Sequence, residues 1–270
     1  MSIDRTSSLS DEVLCHISSF LPTEDAVRPS ILSTRWRYLY LWISNLEFKY
    51  KTNGKGTLVA FMNFVDGALL QFRRPSIDRF CLNIWGNESI DPLHFDGWIQ
   101  ALLLHSIRDL DLFIHWDRRY GLPADLFTCE TLVVLKLQLS NSFLQVPLRV
   151  CLPSLRVLDL YMFYEDDDFG EWLSFGCLAL EDLVFQGTFL GFECKLNVSN
   201  ASLKRLTTVT SNFDGSVQII INAPNLVNLN YSVYECNYNV FINLPSITKA
   251  WINFHYVHAE WIDHILVQLV

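Results

Sequence analysis

Leu132-Val-Val-Leu-Lys-Leu137 returns as Leu155-Arg-Val-Leu-Asp-Leu160, and again as Leu180-Glu-Asp-Leu-Val-Phe185. Each hexamer has an apolar residue, two variable residues, a leucine, one variable residue and a second apolar residue. Related hexamers begin at Ile107, Leu203, Leu226 and Ile247, so the step from one to the next is nearly constant. This period is typical of a solenoid in which each unit adds one strand to a parallel sheet, because a single unit cannot bury its own apolar face.

Alternation along each predicted strand divides its residues between a buried face and an outward face. The leucines take the buried face, so the residues between them are predicted to lie on one exposed ladder. Neighbouring strands lie about 4.8 Å apart, which makes that ladder an extended surface. We expect binding specificity to lie on this surface, at Asp111, Lys136, Gln138 and Asp159.

Helices are predicted on either side of this repeat array. Thr57–Phe72 places its apolar residues on one helical side, and Phe95–His105 forms a second helix after a first strand at Ile77–Leu82. Val257–Val270 also has helical spacing of its apolar residues. Residues 51–56 are polar and contain two glycines, which indicates a linker.

Three short helices are predicted in the first fifty residues. The first runs from Leu9 to Leu21, with Ser10 as its N-cap and acidic residues in its first turn. Pro22 ends this helix, a second begins near Glu24, and a third covers Ser33–Trp42. Fifty residues hold little core, so we expect apolar side chains on these helices to be buried by a partner protein.

Charge and composition exclude several classes of protein. The net charge is −9, and residues 51–270 carry 23 Asp and Glu against 15 Lys and Arg, so nucleic acid is not an expected partner. No stretch reaches the roughly 18 apolar residues of a membrane span, and no apolar signal core follows Met1. We therefore expect no membrane partner and a cytoplasmic or nuclear location. Four Asn-x-Ser triplets, at residues 87, 197, 200 and 230, point the other way, to a secreted glycoprotein.

No residue pattern indicates catalysis. The seven cysteines form no CxxC pair, no histidine lies at metal-ligand spacing from a second ligand, and no phosphate-binding glycine loop or nucleophile motif is present. Cys129, Cys151 and Cys177 recur at similar phases of the repeat, which favours buried small side chains over nucleophiles. We predict no catalytic residue, no metal and no cofactor.

The N-terminal segments resemble the F-box of plant proteins. The resemblance is carried by Leu9-Ser-Asp-Glu-Val-Leu14, Ser19-Phe-Leu-Pro-Thr-Glu-Asp-Ala-Val-Arg28 and Ile31-Leu-Ser-Thr-Arg-Trp-Arg-Tyr-Leu39. It implies docking onto the Skp-type linker subunit of a cullin–RING ubiquitin ligase. The residues that would contact the linker are Leu9, Ser10, Val13, Leu14, Ile17, Leu21, Pro22, Val27, Ile31, Leu32, Trp36 and Leu39. Two positions depart from the family pattern, because Ser10 replaces its usual proline and Pro29 lies inside the second helix.

The repeats resemble the plant F-box/leucine-rich-repeat family whose members often end in an FBD domain. Leu122–Leu137, Val150–Leu158 and Gly176–Leu183 carry this resemblance. It implies an α/β protein with a three-helix F-box at 1–50, a linker and helix at 51–76, and a leucine-rich-repeat solenoid at 77–270. In that solenoid, irregular helices and loops would lie on the convex side of a stacked parallel sheet, and the FBD segment would be absent or incomplete.

The implied function is that of a non-catalytic substrate-recognition adaptor. The F-box would dock onto the Skp-type linker, and through it onto the cullin–RING, while the repeats bind an unknown protein substrate. Two alternatives remain open: a secreted leucine-rich glycoprotein, and a degenerate family member that binds partners without recruiting a ligase.

Overall fold

The computed structural model describes residues 9–18, 43–51, 57–86, 88, 90–115, 121–143, 147, 149–164, 169–190, 193–212, 216–234, 237–255 and 266–268. The chain divides into two compact units, Met1–Leu112 and Phe113–Val270. The two units are described separately below. The second and third F-box helices predicted from the sequence lie outside the described residues.

Within the described residues, the first unit contains three helices and a parallel sheet. Its elements are α1 (Asp11–Ser18), β1 (Asn45–Lys51), α2 (Leu58–Gln71), β2 (Arg79–Trp85), α3 (Pro92–Leu104) and β3 (Asp109–His115, whose last three residues belong to the second unit). The strand order is β1-β2-β3. β1 pairs with β2 from Asn45↔Arg79 to Lys51↔Trp85, so the predicted domain boundary at residue 50 falls inside a strand of this sheet.

The two predicted helices of this unit are confirmed, α2 to within one residue at each end and α3 with a start at Pro92, three residues earlier than predicted. Both have clear signals at their first turn. The Thr57 hydroxyl oxygen accepts a hydrogen bond from the Ala60 amide at 3.2 Å and begins α2. The Asp91 carboxylate caps α3 through the Leu93 amide at 2.9 Å, with Pro92 in the first turn. The α2 side chains predicted to share one face are all buried: Leu58, Phe61, Met62, Val65, Leu69 and Phe72.

Aromatic packing closes the core of the first unit. The ring of Phe48 on β1 is fully buried between Phe64 of α2, at a centroid distance of 5.7 Å, and Phe80 of β2, at 5.6 Å. Edge and tilted contacts of this kind add to the hydrophobic effect of burying the rings. β1 is therefore part of this core.

The second unit is a solenoid built on two parallel sheets. The first sheet has the order β4-β5-β6-β8-β10-β12 in this unit. Its strands are β4 (Val134–Phe143), β5 (Val157–Tyr164), β6 (Asp182–Phe189), β8 (Arg205–Asn212), β10 (Asn228–Tyr234) and β12 (Lys249–His255). The second sheet, in the order β13-β11-β9-β7, contains β7 (Glu193–Ser199), β9 (Ser216–Asn222), β11 (Asn237–Asn243) and β13 (Leu266–Gln268). The earlier return segments are short helices, a 3-10 helix at Ala124–Thr128 and α4 at Phe169–Gly176.

The strand register confirms the predicted repeat. The leucines at the fourth position of successive hexamers align across the sheet as Leu135↔Leu158↔Leu183↔Leu206↔Leu229. All five are buried, and each buried leucine stabilises the fold by roughly 1.5–3 kcal/mol. The sheet is stacked and parallel, as the repeat predicts.

A recurring turn returns the chain to the first sheet at the hexamers that begin at Leu155, Leu180, Leu226 and Ile247. The amide of Leu155 donates to the Leu152 carbonyl at 3.2 Å, and Leu226 donates to Ala223 at 3.0 Å three repeats later. Between repeats, the Lys204 amide donates to the Glu181 carbonyl at 2.8 Å, and Val227 donates to Lys204 at 2.9 Å. These bonds satisfy backbone groups at each strand entry and fix the step from one repeat to the next.

Two expectations about the return side are corrected. From Glu193 onward the return segments are strands of a second sheet, where irregular helices and loops were predicted. Leu266–Gln268 pairs with β11, so this part of the predicted helix Val257–Val270 is a strand. The return segment Glu193–Ser199 alternates apolar and polar residues, the pattern by which an extended strand buries one face.

Candidate partner-binding surfaces

The first helix offers two open apolar side chains. The Ser10 hydroxyl accepts from the Val13 amide at 3.4 Å, and the Ser10 carbonyl accepts from Leu14 at 3.0 Å, so Ser10 caps α1 as its position predicts. Leu14 is 1% exposed, whereas Val13 and Ile17 are 43% and 44% exposed. Val13 and Ile17 lie one helical turn apart, which places them together on one open strip of the helix.

Only five of the twelve predicted linker contacts, those on or beside α1, lie within the described residues. Leu9 is half-buried and Ser10 is exposed at the start of α1. The other positions lie outside the described residues: Leu21, Pro22, Val27, Ile31, Leu32, Trp36 and Leu39, together with the departure at Pro29. The assignment of these twelve residues to the linker stays a prediction.

The four predicted substrate-binding residues do not all belong to one unit. Asp111 lies in the first unit, where the Arg79 guanidinium binds its carboxylate at 3.3 Å. Lys136, Gln138 and Asp159 lie in the second unit, half-buried on the outward face of β4 and β5. Lys136 and Asp159 are direct register partners, and Gln138 lies opposite Tyr161. The structure therefore brings three of the four onto neighbouring strands, and their role stays a prediction.

Ion pairs link the strand entries of the solenoid. Glu181 binds Lys204 at 3.1 Å and Arg156 at 3.6 Å, and the hydrogen bond from Lys204 lowers the pKa of the Glu181 carboxyl. Asp182 pairs with Arg205 on the next strand of the sheet, and that hydrogen bond raises the pKa of the Arg205 guanidinium. Arg205 is therefore already neutralised by a carboxylate of the same sheet.

A depression of about 500 Å³ lies on the outward face of β8, β10 and β12, a region that the sequence prediction passed over. Its polar and aromatic lining includes Arg205, Asn228, Asn230, Lys249, Trp251 and Asn253. The hexamers that begin at Leu203, Leu226 and Ile247 match the repeat less closely, so their outward residues drew no prediction. Their alternation places these side chains outward in the same way as in the stronger repeats.

A second groove of about 250 Å³ runs over the other ends of the strands. Tyr161 and Tyr234 line it, and Gly187 forms part of its floor. A Cβ at Gly187 would lie 3.1 Å from both the Met162 carbonyl oxygen and the Phe185 ring, so the absence of a side chain keeps the backbones close. The Tyr234 ring stacks on His255 at 4.3 Å.

Two family models match the chain. A family model described as "FBD-associated F-box protein At5g56370, LRR repeats" matches residues 95–245, and the F-box domain model matches residues 6–39. The F-box protein At4g09920 of Arabidopsis thaliana is 33% identical over 265 residues, which cover 93% of this chain and 80% of that protein. The chain belongs to the plant F-box/FBD/LRR-repeat family.

Longer members of the family are similar over the same region. The FBD-associated F-box protein At4g10400 of Arabidopsis thaliana is 34% identical over 257 residues, and the F-box/FBD/LRR-repeat protein At4g26340 of the same plant is 34% identical over 260. Each match covers 93% of this chain, which spans only 61% and 60% of these two relatives. No solved structure matches the chain.

In this family member, the asparagine of one glycosylation triplet is already hydrogen-bonded inside the fold. The Asn200 side chain is buried, and its amide nitrogen donates to the carbonyl oxygens of Leu173 at 3.0 Å and Cys177 at 2.9 Å. Its amide oxygen accepts from the Ser202 amide at 2.9 Å. Asn200 therefore joins two repeats and cannot carry a glycan in the folded protein.

The cysteines correct one sequence prediction. Cys129 and Cys177 are buried as predicted, but Cys151 is exposed. Cys129 and Cys177 each precede the first leucine of a hexamer by three residues, whereas Cys151 precedes Leu155 by four, so its side chain falls at another phase of the turn. Five cysteines, these three with Cys81 and Cys194, are free thiols.

We expect iodoacetamide at near-neutral pH to modify Cys151 well before Cys81 or Cys177. The thiolate is the reacting form, and burial raises the pKa of the Cys81 thiol to about 11 and that of Cys177 to about 12. Mass spectrometry of tryptic peptides over a time course would measure the three rates. Modification of Cys177 as fast as that of Cys151 in folded protein would contradict the burial seen here.

Two further searches cover the part of the chain that the structure describes. There, no cluster of three His, Cys, Asp or Glu side chains could hold a metal ion. No helix among the same residues is long and apolar enough to cross a membrane.

Proposed function

We propose that this chain is a substrate-recognition adaptor of a cullin–RING ubiquitin ligase. Residues 9–39 dock onto the Skp-type linker, and the solenoid binds a protein substrate. The observation that carries the proposal is the F-box match over residues 6–39, in which α1 keeps Val13 and Ile17 open beside the buried Leu14.

The open strip on α1 has the chemistry of a docking surface. Val13 and Ile17 are stiff apolar side chains, and burial in a complex would stabilise it by roughly 1–2 kcal/mol for each because only part of each side chain is exposed. Helices commonly bind grooves of a partner through apolar residues spaced by three or four positions. Leu14, the next residue after Val13, is buried within the chain.

The adaptor contributes no bond-making chemistry of its own. By holding a substrate and the ubiquitin-charged enzyme in one complex, it raises their effective concentration and converts an encounter in solution into a reaction within the complex. Family membership and the absence of a catalytic motif in the sequence support this assignment. Neither a metal nor a cofactor enters such a mechanism.

A cytoplasmic or nuclear location is part of the proposal. Cys81, Cys129, Cys151, Cys177 and Cys194 are free thiols, the state in which a reducing compartment keeps cysteines. The burial of Asn200 removes one of the four triplets that favoured a secreted glycoprotein. The secreted alternative therefore has less support from the structure than from the sequence.

The second candidate is a family member that binds partners without recruiting a ligase. Ser10 favours it, because the hydroxyl group caps α1 at a position where the F-box pattern has a linker-contacting proline. A measurement of the chain's affinity for the Skp-type linker separates the two candidates, since only the adaptor binds the linker.

We expect the full chain to bind a purified Skp-type linker, and Val13→Asp to weaken that binding about a hundredfold. Burying an unpaired carboxylate in an apolar contact costs several kcal/mol. Isothermal titration calorimetry would measure the affinities. Val59→Asp on α2 is the matched control, because Val59 is 60% exposed and the substitution is identical. Absence of wild-type binding, or equal losses in both variants, would contradict the proposal.

A further inference from the structure

From the outward face of β8, β10 and β12, we infer that this face binds an extended peptide in which an aspartate or glutamate lies two residues from an apolar residue. The inference rests on the proposed function, because it names the chemistry of the segment that the adaptor recognises in its substrate. It centres the recognition site on β10, three strands away from Asp159, the nearer end of the ladder predicted from the sequence.

The charge of these three strands is opposite to that of the chain. The whole sequence has 29 Asp and Glu against 20 Lys and Arg, yet Arg205–Asn212, Asn228–Tyr234 and Lys249–His255 contain no acidic residue. The depression on their outward face is lined by two cations and no carboxylate. An acidic segment is attracted to this face, although the chain as a whole carries a net charge of −9.

Lys249 is the cation that remains available in the depression. Arg205, Asn228 and Lys249 lie in one register row across the three strands. Arg205 is neutralised by Asp182, whereas Lys249 is exposed and has no carboxylate within ion-pair distance among the described residues. A ligand carboxylate would therefore bind at the Lys249 end of the row.

Three carboxamides give the face its affinity for an extended main chain. Asn228 and Asn230 alternate along β10, and Asn253 lies on β12, where its amide nitrogen is 3.4 Å from the Ser232 hydroxyl oxygen. A carboxamide offers both a donor and an acceptor, which matches the N–H and C=O groups of a peptide bond. Such groups suit a peptide better than a compact anion.

Trp251 supplies the apolar part of the site. Its side chain is 56% exposed and lies on β12 two residues beyond Lys249, on the same outward face. Exposed tryptophans at protein interfaces bury a large apolar area with little loss of conformational entropy and often dominate binding. The spacing of Lys249 and Trp251 fits a carboxylate and an apolar side chain held close together on an extended ligand.

The test uses the full chain and three fluorescein-labelled twelve-residue peptides in fluorescence anisotropy. In the first peptide, aspartate and leucine take turns at every second position, with serine between them. The second peptide has asparagine in place of aspartate, and the third has phosphoserine in place of aspartate. We expect the aspartate peptide to bind at least about tenfold more tightly than the asparagine peptide. Lys249→Glu should abolish that preference, and Trp251→Ala should weaken both peptides.

Lys195→Glu is the matched control, because Lys195 is an exposed lysine on β7 of the other sheet. This variant should bind the peptides as the wild type does. Equal binding of the aspartate and asparagine peptides, no binding of either, or equal losses in the two lysine variants would overturn the inference. Tighter binding of the phosphoserine peptide would reassign the site to phosphorylated segments.

The same variants separate this inference from the proposed function. Lys249→Glu should keep full affinity for the Skp-type linker, since β12 is in the second unit and α1 in the first. A chain that binds the aspartate peptide but not the linker would disprove the adaptor role alone. A chain that binds the linker but discriminates no peptide would disprove the peptide site alone.

Discussion

Replacing Asn200 with leucine is expected to lower the free energy of unfolding by about 3 kcal/mol, because three polar partners of this buried carboxamide lose a hydrogen bond at roughly 1 kcal/mol each. Those partners are the carbonyls of Leu173 and Cys177 and the amide of Ser202. A leucine of similar size would fill the space but bind none of them. Urea unfolding followed by tryptophan fluorescence would measure the change.

The control for Asn200 is Asn225, one repeat later. Asn225 is exposed, and its side chain donates a single hydrogen bond of 2.8 Å to the Ala201 carbonyl. Asn225→Leu should therefore cost about 1 kcal/mol or less. Equal destabilisation by the two substitutions would show that burial of the carboxamide is not what stabilises the junction between repeats.

Replacing Phe185 with alanine is expected to lower the free energy of unfolding by about 3–5 kcal/mol, because it leaves a cavity in the centre of the first sheet. The Phe185 ring is fully buried and lies 6.1 Å from the Phe189 ring. The same unfolding experiment applies, with Gln186→Ala as control. Gln186 points outward on the same strand, so its substitution should change the free energy by less than about 0.5 kcal/mol.

The first sheet was predictable from the sequence because its signal repeats. The spacing of the leucines indicated the strand centres from Leu135 to Leu229, and the register pairs these residues in order. Ala250, at the fourth position of the hexamer that begins at Ile247, pairs with Leu229. It is nevertheless exposed, because it lies on the last strand of this sheet in the described chain. A periodic pattern thus fixes pairing more reliably than it fixes burial at the end of an array.

The second sheet was missed although the sequence carries a signal for it. Leu196, Ile219 and Val240 are register partners in β7, β9 and β11. They are spaced along the chain as Leu206, Leu229 and Ala250 are in the first sheet, and their neighbours in β7 alternate between apolar and polar. The hexamer pattern predicts only one strand in each repeat, so the return segments are predicted as loops or helices.

The candidate sites show the same division between local and long-range signals. The cap at Ser10 follows from the residue type at the start of the helix, and the shared face of Val13 and Ile17 follows from the helical period. The depression around Lys249 and Trp251 could not be predicted from any one segment, because it is assembled from strands of three successive repeats. Only the register brings its charge and carboxamides together.

Hydrogen–deuterium exchange of the full chain, with and without a saturating Skp-type linker, tests most directly whether α1 is a docking helix. The account predicts that amides of residues 11–18 exchange more slowly in the complex, while those of α2 at 58–71 keep their rates. Unchanged exchange at 11–18 in a chain that binds the linker would contradict the assignment of this helix.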